Sequence, residues 1–202
     1  MEPFQWVDLL VSVSLLISFY SLIRLYMVKR SLVDLYFGLS ALILLIGYVG
    51  HMVGFHFNSL IMNWSKLVSV TFYISGLLVL IRESKPVFAR FPLYLTALPF
   101  VSILFFPLVI DFTVIKDLVN GIYQGGALIV SILVLTVNNV NEIGRRYYIV
   151  GLTLVSVSFL TYWVIFNRDI PDKIWISEIL FAAGILLVLF RFIKSNSVRK
   201  TT

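Results

Sequence analysis

Residues 6–54 read WVDLLVSVSLLISFYSLIRLYMV, then Lys29, Arg30 and Ser31, then LVDLYFGLSALILLIGYVGHMVG. These are two apolar runs parted by three polar residues. At a helical rise of about 1.5 Å per residue, a run of about 20 residues matches a hydrocarbon layer of about 30 Å. No basic leader precedes the first run and no small-residue cleavage pattern follows it, so it reads as a retained helix, not a removable signal.

The pattern continues along the chain. Further apolar segments occupy 60–81, 91–110, 117–137, 147–166 and 174–192, and little is left between them. The segment at 91–110 carries Pro99 near its middle, with Pro92 and Pro107 near its ends. A mid-helix proline removes one backbone bond and crowds the preceding turn, so a kink or interruption is expected there. The composition agrees: of 202 residues, 60% are hydrophobic and 13% charged, against about 25% charged in a soluble domain. The expected fold is an all-α, polytopic seven-helix transmembrane bundle, a single integral membrane domain over 1–202.

The basic residues give this expectation a direction. Arg24, Lys29 and Arg30, then Arg82, Lys85 and Arg90, then Arg145 and Arg146, then Arg191, Lys194, Arg199 and Lys200 fall on alternate connections, 12 of the 16 basic residues. The intervening connections hold Lys116, Arg168 and Lys173 beside Asp111, Asp117, Asp169 and Asp172. By the positive-inside rule the N-terminus is placed outside and the C-terminus in the cytoplasm, in the plasma membrane of a prokaryotic cell. The net charge of +6 is then a topological signal, and no nucleic-acid partner is expected. Membrane lipids are the expected surroundings.

Polar side chains that fall inside apolar segments identify the candidate site. Lys66 lies about 9 Å, and Glu178 about 6 Å, below the outer ends of their segments by helical rise. A cation and an acid at compatible depths are expected to pair, since either alone in a low-dielectric bundle is costly. Asp8, His51, Gln124 and Tyr162 approach the same half from other segments, and the six together are expected to line an outward-facing ligand pocket. On the opposite half, Arg24 and Asp34 flank the short Lys29–Arg30–Ser31 turn and are expected to form an ion pair. Gly121 and Gly125 have the GxxxG spacing of a helix-packing face.

Several chemistries are disfavoured. The chain has no cysteine, which removes disulfides, thiolate metal sites and cysteine nucleophiles. His51 and His56 are five residues apart, about 140° around a helix, with no third histidine in the chain, so no metal is expected there. Retinal is not expected either, because Lys173 and Lys194 lie at the two ends of the last segment and none lies within it. No nucleophile, base and oxyanion donors assemble into a catalytic set, so enzymatic chemistry ranks as a distant fourth reading and no cofactor is predicted. The functional expectation is a small ligand-sensing or signal-relaying multi-pass membrane subunit acting through a membrane or cytoplasmic partner protein. Transport of a small solute or ion, and a structural role in a larger membrane complex, are the alternatives.

Overall fold

A computed structural model describes residues 3–53, 58–84, 86–105, 113–137, 145–167 and 174–198. The described residues form seven α-helices and one 3-10 helix: α1 (Pro3–Lys29), α2 (Leu32–Val53), α3 (Asn58–Ser84), a single turn α4 (Pro86–Ala89), the 3-10 helix (Leu93–Phe105), α5 (Thr113–Val137), α6 (Arg145–Asn167) and α7 (Ile174–Val198). Six long helices close into a ring, α1 on α2, α2 on α3, α3 on α5, α5 on α6, α6 on α7 and α7 back on α1. The 3-10 helix lies outside the ring, against α3.

Local chemistry sets the boundaries. The α1 helix stops where Arg30 adopts a positive φ of 57° and its amide donates to the Tyr26 carbonyl at 2.7 Å. That left-handed cap is usually glycine; here the Arg30 guanidinium lies 5.8 Å from the Tyr26 ring centroid. The α2 helix starts two residues later at Leu32, with the Leu35 amide donating to the Ser31 carbonyl and Asp34 in the first turn, where a carboxylate faces the positive end of the helix dipole.

The sequence predicts seven spans, and the structure corrects this. Among the described residues, three helices are long and apolar enough to cross a membrane: Trp6–Lys29, Leu32–Val53 and Trp64–Glu83. The remaining apolar helical stretches, Leu93–Leu104, Gly121–Val134, Ile149–Tyr162 and Trp175–Leu189, are 10–17 residues each, short of the roughly 20 that a span requires. For Leu93–Leu104 the cause is in the backbone, since this stretch is a 3-10 helix containing Pro99. With three such helices instead of seven, the alternation no longer fixes a cytoplasmic C-terminus.

The proline-rich segment departs from α geometry over its whole described length, beyond a local kink. Pro99 lies inside 13 residues of 3-10 helix, a long run for a form that rarely exceeds four. Thr96 donates to the Leu93 carbonyl at 2.7 Å, and Ser102 donates to the carbonyl of Pro99. An aromatic cluster fastens the segment to the bundle: Phe100 stands 4.6 Å from Phe72 of α3 and 5.7 Å from Tyr36 of α2, centroid to centroid.

The distribution of polarity is that of a protein bathed in lipid. Leu10, Leu16, Ile17 and Tyr20 of α1, Ile122 and Ile129 of α5, and Leu160 and Val164 of α6 are exposed. Ser18, Ser69, Thr71, Ser75 and Ser131 are buried at 2% exposure or less. Apolar surface outward and small hydroxyls inward suit a surrounding as apolar as leucine, where small residues allow close helix approach. The protein is thus mostly helical and membrane-associated, with lipid as its natural contact.

Candidate ligand-binding site

The site forms where the ring leaves its axis unfilled. A cavity of about 60 Å³ is lined by residues from α2, α3, α5, α6 and α7, and a buried water needs only about 10–15 Å³ on this measure. Its polar groups are Lys66 and Ser69 on α3 and Ser158 and Tyr162 on α6, each pair at one-turn spacing, the adjacent Ser177 and Glu178 on α7, Gln124 from α5 and Tyr48 from α2.

Lys66 Nζ stands 3.5 Å from Glu178 Oε1, with the two side chains 21% and 11% exposed. The same ammonium lies 5.9 Å from the Tyr162 ring centroid, within range of a cation–π attraction. Tyr48 of α2 lines the same cavity. One oxygen of the Glu178 carboxylate is occupied by the Lys66 cation. Its other oxygen, Oε2, and the amide oxygen of Gln124 are buried without a hydrogen-bond partner. Burying an acceptor unpaired costs about 1–3 kcal/mol, more for a charged one. Both of these acceptors belong to side chains that line the one cavity.

Four of the six expected ligand residues, Lys66, Gln124, Tyr162 and Glu178, thus share one cavity. Asp8 and His51 do not line it. They face each other across the α1–α2 seam, where His51 Nδ1 lies 3.1 Å from Asp8 Oδ2 with side-chain exposures of 44% and 7%. Each is on a helix of the ring but at its edge, and the pair bridges two helices. His56 lies outside the described residues. Arg24 and Asp34 are not brought into an ion pair: Arg24 is exposed and Asp34 buried. Lys29 is the better placed cation, since it ends α1 beside the turn.

Sequence reading missed Tyr48, Ser69, Ser158 and Ser177. Two of them were recoverable from periodicity: Ser69 is three residues from Lys66 and Ser158 four from Tyr162, so helical geometry puts each on the face of a residue already singled out. The chain matches no protein-family model, no curated protein and no solved structure, so the site rests on its own geometry.

Proposed function

We propose that this membrane-associated protein senses a small, uncharged, hydrogen-bond-donating ligand in the axial cavity and relays its presence to a partner protein. The unpartnered Glu178 Oε2 and Gln124 Oε1 carry this reading. Charge selects the class of ligand. Glu178 repels an anion, and Lys66, already 3.5 Å from that carboxylate, repels a cation, so a neutral donor fits best. Binding would draw Gln124 of α5 and Glu178 of α7 toward a common group and so shift two ring helices relative to α3. The proposed output is to a membrane or cytoplasmic partner protein. The plasma membrane of a prokaryotic cell is the setting proposed for it.

Sensing is favoured over transport by the polarity of the axis. The polar lining ends at Phe159 and Phe181, and beyond them the axis is bordered chiefly by apolar side chains, a poor path for a hydrated solute. The test is saturable, one-to-one binding to the protein in lipid nanodiscs, using polyols, simple amides and their monoalkyl derivatives as probes. At least one should bind, and Gln124→Leu should weaken it at least fivefold, as expected for losing about one hydrogen bond. No saturable binding by any member of the panel would overturn the proposal. Flux of a binder into sealed vesicles would replace sensing with transport.

A further inference from the structure

A second cavity lies on the same axis. It measures about 40 Å³ and is lined by Leu22, Phe37, Ala41, Leu77, Leu152 and Leu189 among others. On each of four helices its lining begins one turn from that of the polar cavity: Ala41 against Leu44 on α2, Tyr73 against Val70 on α3, Val155 against Ser158 on α6, and Ile185 against Phe181 on α7. Three or four residues of helix correspond to about 5 Å. The two cavities are therefore stacked, polar over apolar.

A row of aromatic rings separates them. Phe37 stacks on Tyr73 at 5.6 Å, Tyr73 meets Phe159 edge-on at 6.1 Å, and Phe159 meets Phe181 at 5.9 Å. The row crosses α2, α3, α6 and α7, and the Tyr73 hydroxyl reaches Ser131 of α5 at 3.2 Å. Ring contacts of this kind are individually weak, about 0.5–1.5 kcal/mol, so a chain that gains apolar contact beyond the row can displace one ring.

We infer that the ligand is a neutral amphiphile, with a hydroxyl- or amide-bearing head in the polar cavity and a short alkyl chain that passes the Phe159–Phe181 contact into the apolar cavity. This rests on the reading of the polar cavity as a ligand site. It adds that the tail carries recognition. The head is fixed by the two unpartnered acceptors, of which Gln124 is only 7% exposed, and by the mutual neutralisation of Lys66 and Glu178. The tail is specified by a cavity whose lining is almost wholly apolar, with Ser40 held in a bond to the Ser69 carbonyl.

The experiment compares glycerol with 1-O-butylglycerol and 1-O-hexylglycerol on the full chain in nanodiscs. One-to-one complexes are counted by native mass spectrometry after release from the bilayer, with empty nanodiscs subtracted. A fully buried methylene is equivalent to about fourfold in affinity, so the hexyl ether should bind at least tenfold more tightly than glycerol. Ala41→Leu, which fills the apolar cavity, should cut that ratio to about threefold while leaving glycerol binding unchanged. Phe159→Leu, which thins the aromatic row, should increase it. Equal affinity for glycerol and its hexyl ether would overturn the amphiphile inference and leave the polar site standing. Binding of none of the three would overturn both.

Discussion

The α2–α3 and α6–α7 pairs are both close-packed, but they achieve it by different means. Between α2 and α3, Gly47 receives Ser65 so closely that a Cβ there would lie 2.5 Å from the serine Cβ, and Ser40 and Ser69 each donate to the other's carbonyl at 2.9 Å. Between α6 and α7, Gly151 and Gly184 bring backbone against backbone, and a Cβ on either would lie 2.8 Å from the other's carbonyl oxygen. Directional bonds lock the first pair in register. The second seam is a contact of glycine backbones, and its helices carry Tyr162, Ser158 and Glu178 into the cavity. Helices that meet backbone to backbone can slide with little side-chain rearrangement when the cavity is filled, whereas reciprocal bonds fix the register of the first pair.

The comparison is most directly broken at its tightest points. Gly184→Ala should destabilise the protein by about 3 kcal/mol, because the new methyl meets backbone atoms that no trimming can remove. Gly47→Ala should cost about 2 kcal/mol, and Ser65→Gly in the same chain should restore most of it, because there the obstacle is a side chain. Unfolding in mixed micelles reads both. Rescue of Gly184→Ala by any single side-chain truncation on α6 would show that its seam is not a backbone contact.

The Lys66–Glu178 pair joins the fixed half to the movable one and ranks next. Lys66→Met and Glu178→Gln should each destabilise by about 2–3 kcal/mol, less than a fully buried pair because Lys66 is 21% exposed. Together they should be non-additive by about 1–2 kcal/mol, the stranded partner having been removed as well. Additive losses would uncouple α3 from α7 and with them the relay. Smaller still is the hydroxyl clamp: Ser40→Ala and Ser69→Ala should each cost about 1 kcal/mol, with a positive coupling in the double variant. Independent effects would mean that the two serines bond elsewhere, and the contrast between the pairs would narrow to glycine placement.

Residues 6–54 made the all-α, apolar character legible, because two runs of the same length with a basic break admit few alternatives. Span count was not legible. Hydropathy registers the apolar residues of 91–110 but not that their prolines and two back-bonding hydroxyls favour 3-10 geometry. Depth along a helix brought Lys66 and Glu178 to the same level, since rise per residue is fixed. It could not assign Asp8 and His51 to a seam at the ring's edge, because depth says nothing about which way around the helix a side chain faces.

The glycines of α5 supply the smallest effect and the sharpest control. Gly121 and Gly125 have the spacing of a packing motif, yet a Cβ on Gly125 would meet nothing within 4 Å, and one on Gly126 only the tip of Ile74 at 3.9 Å. Gly125 therefore lines open space, while the seam at Gly151 and Gly184 lies on two different helices and carries no motif at all. If close approach is what makes a glycine necessary, Gly125→Ala should stabilise the protein by about 0.5–1 kcal/mol, through higher helix propensity and a less flexible unfolded chain. The same exchange at Gly184 should act in the opposite direction and be several times larger. Destabilisation by Gly125→Ala would mean that α5 packs against something beyond this chain, a partner helix or a second copy, and the unfilled face of α5 would become the place to look for the protein that receives the signal.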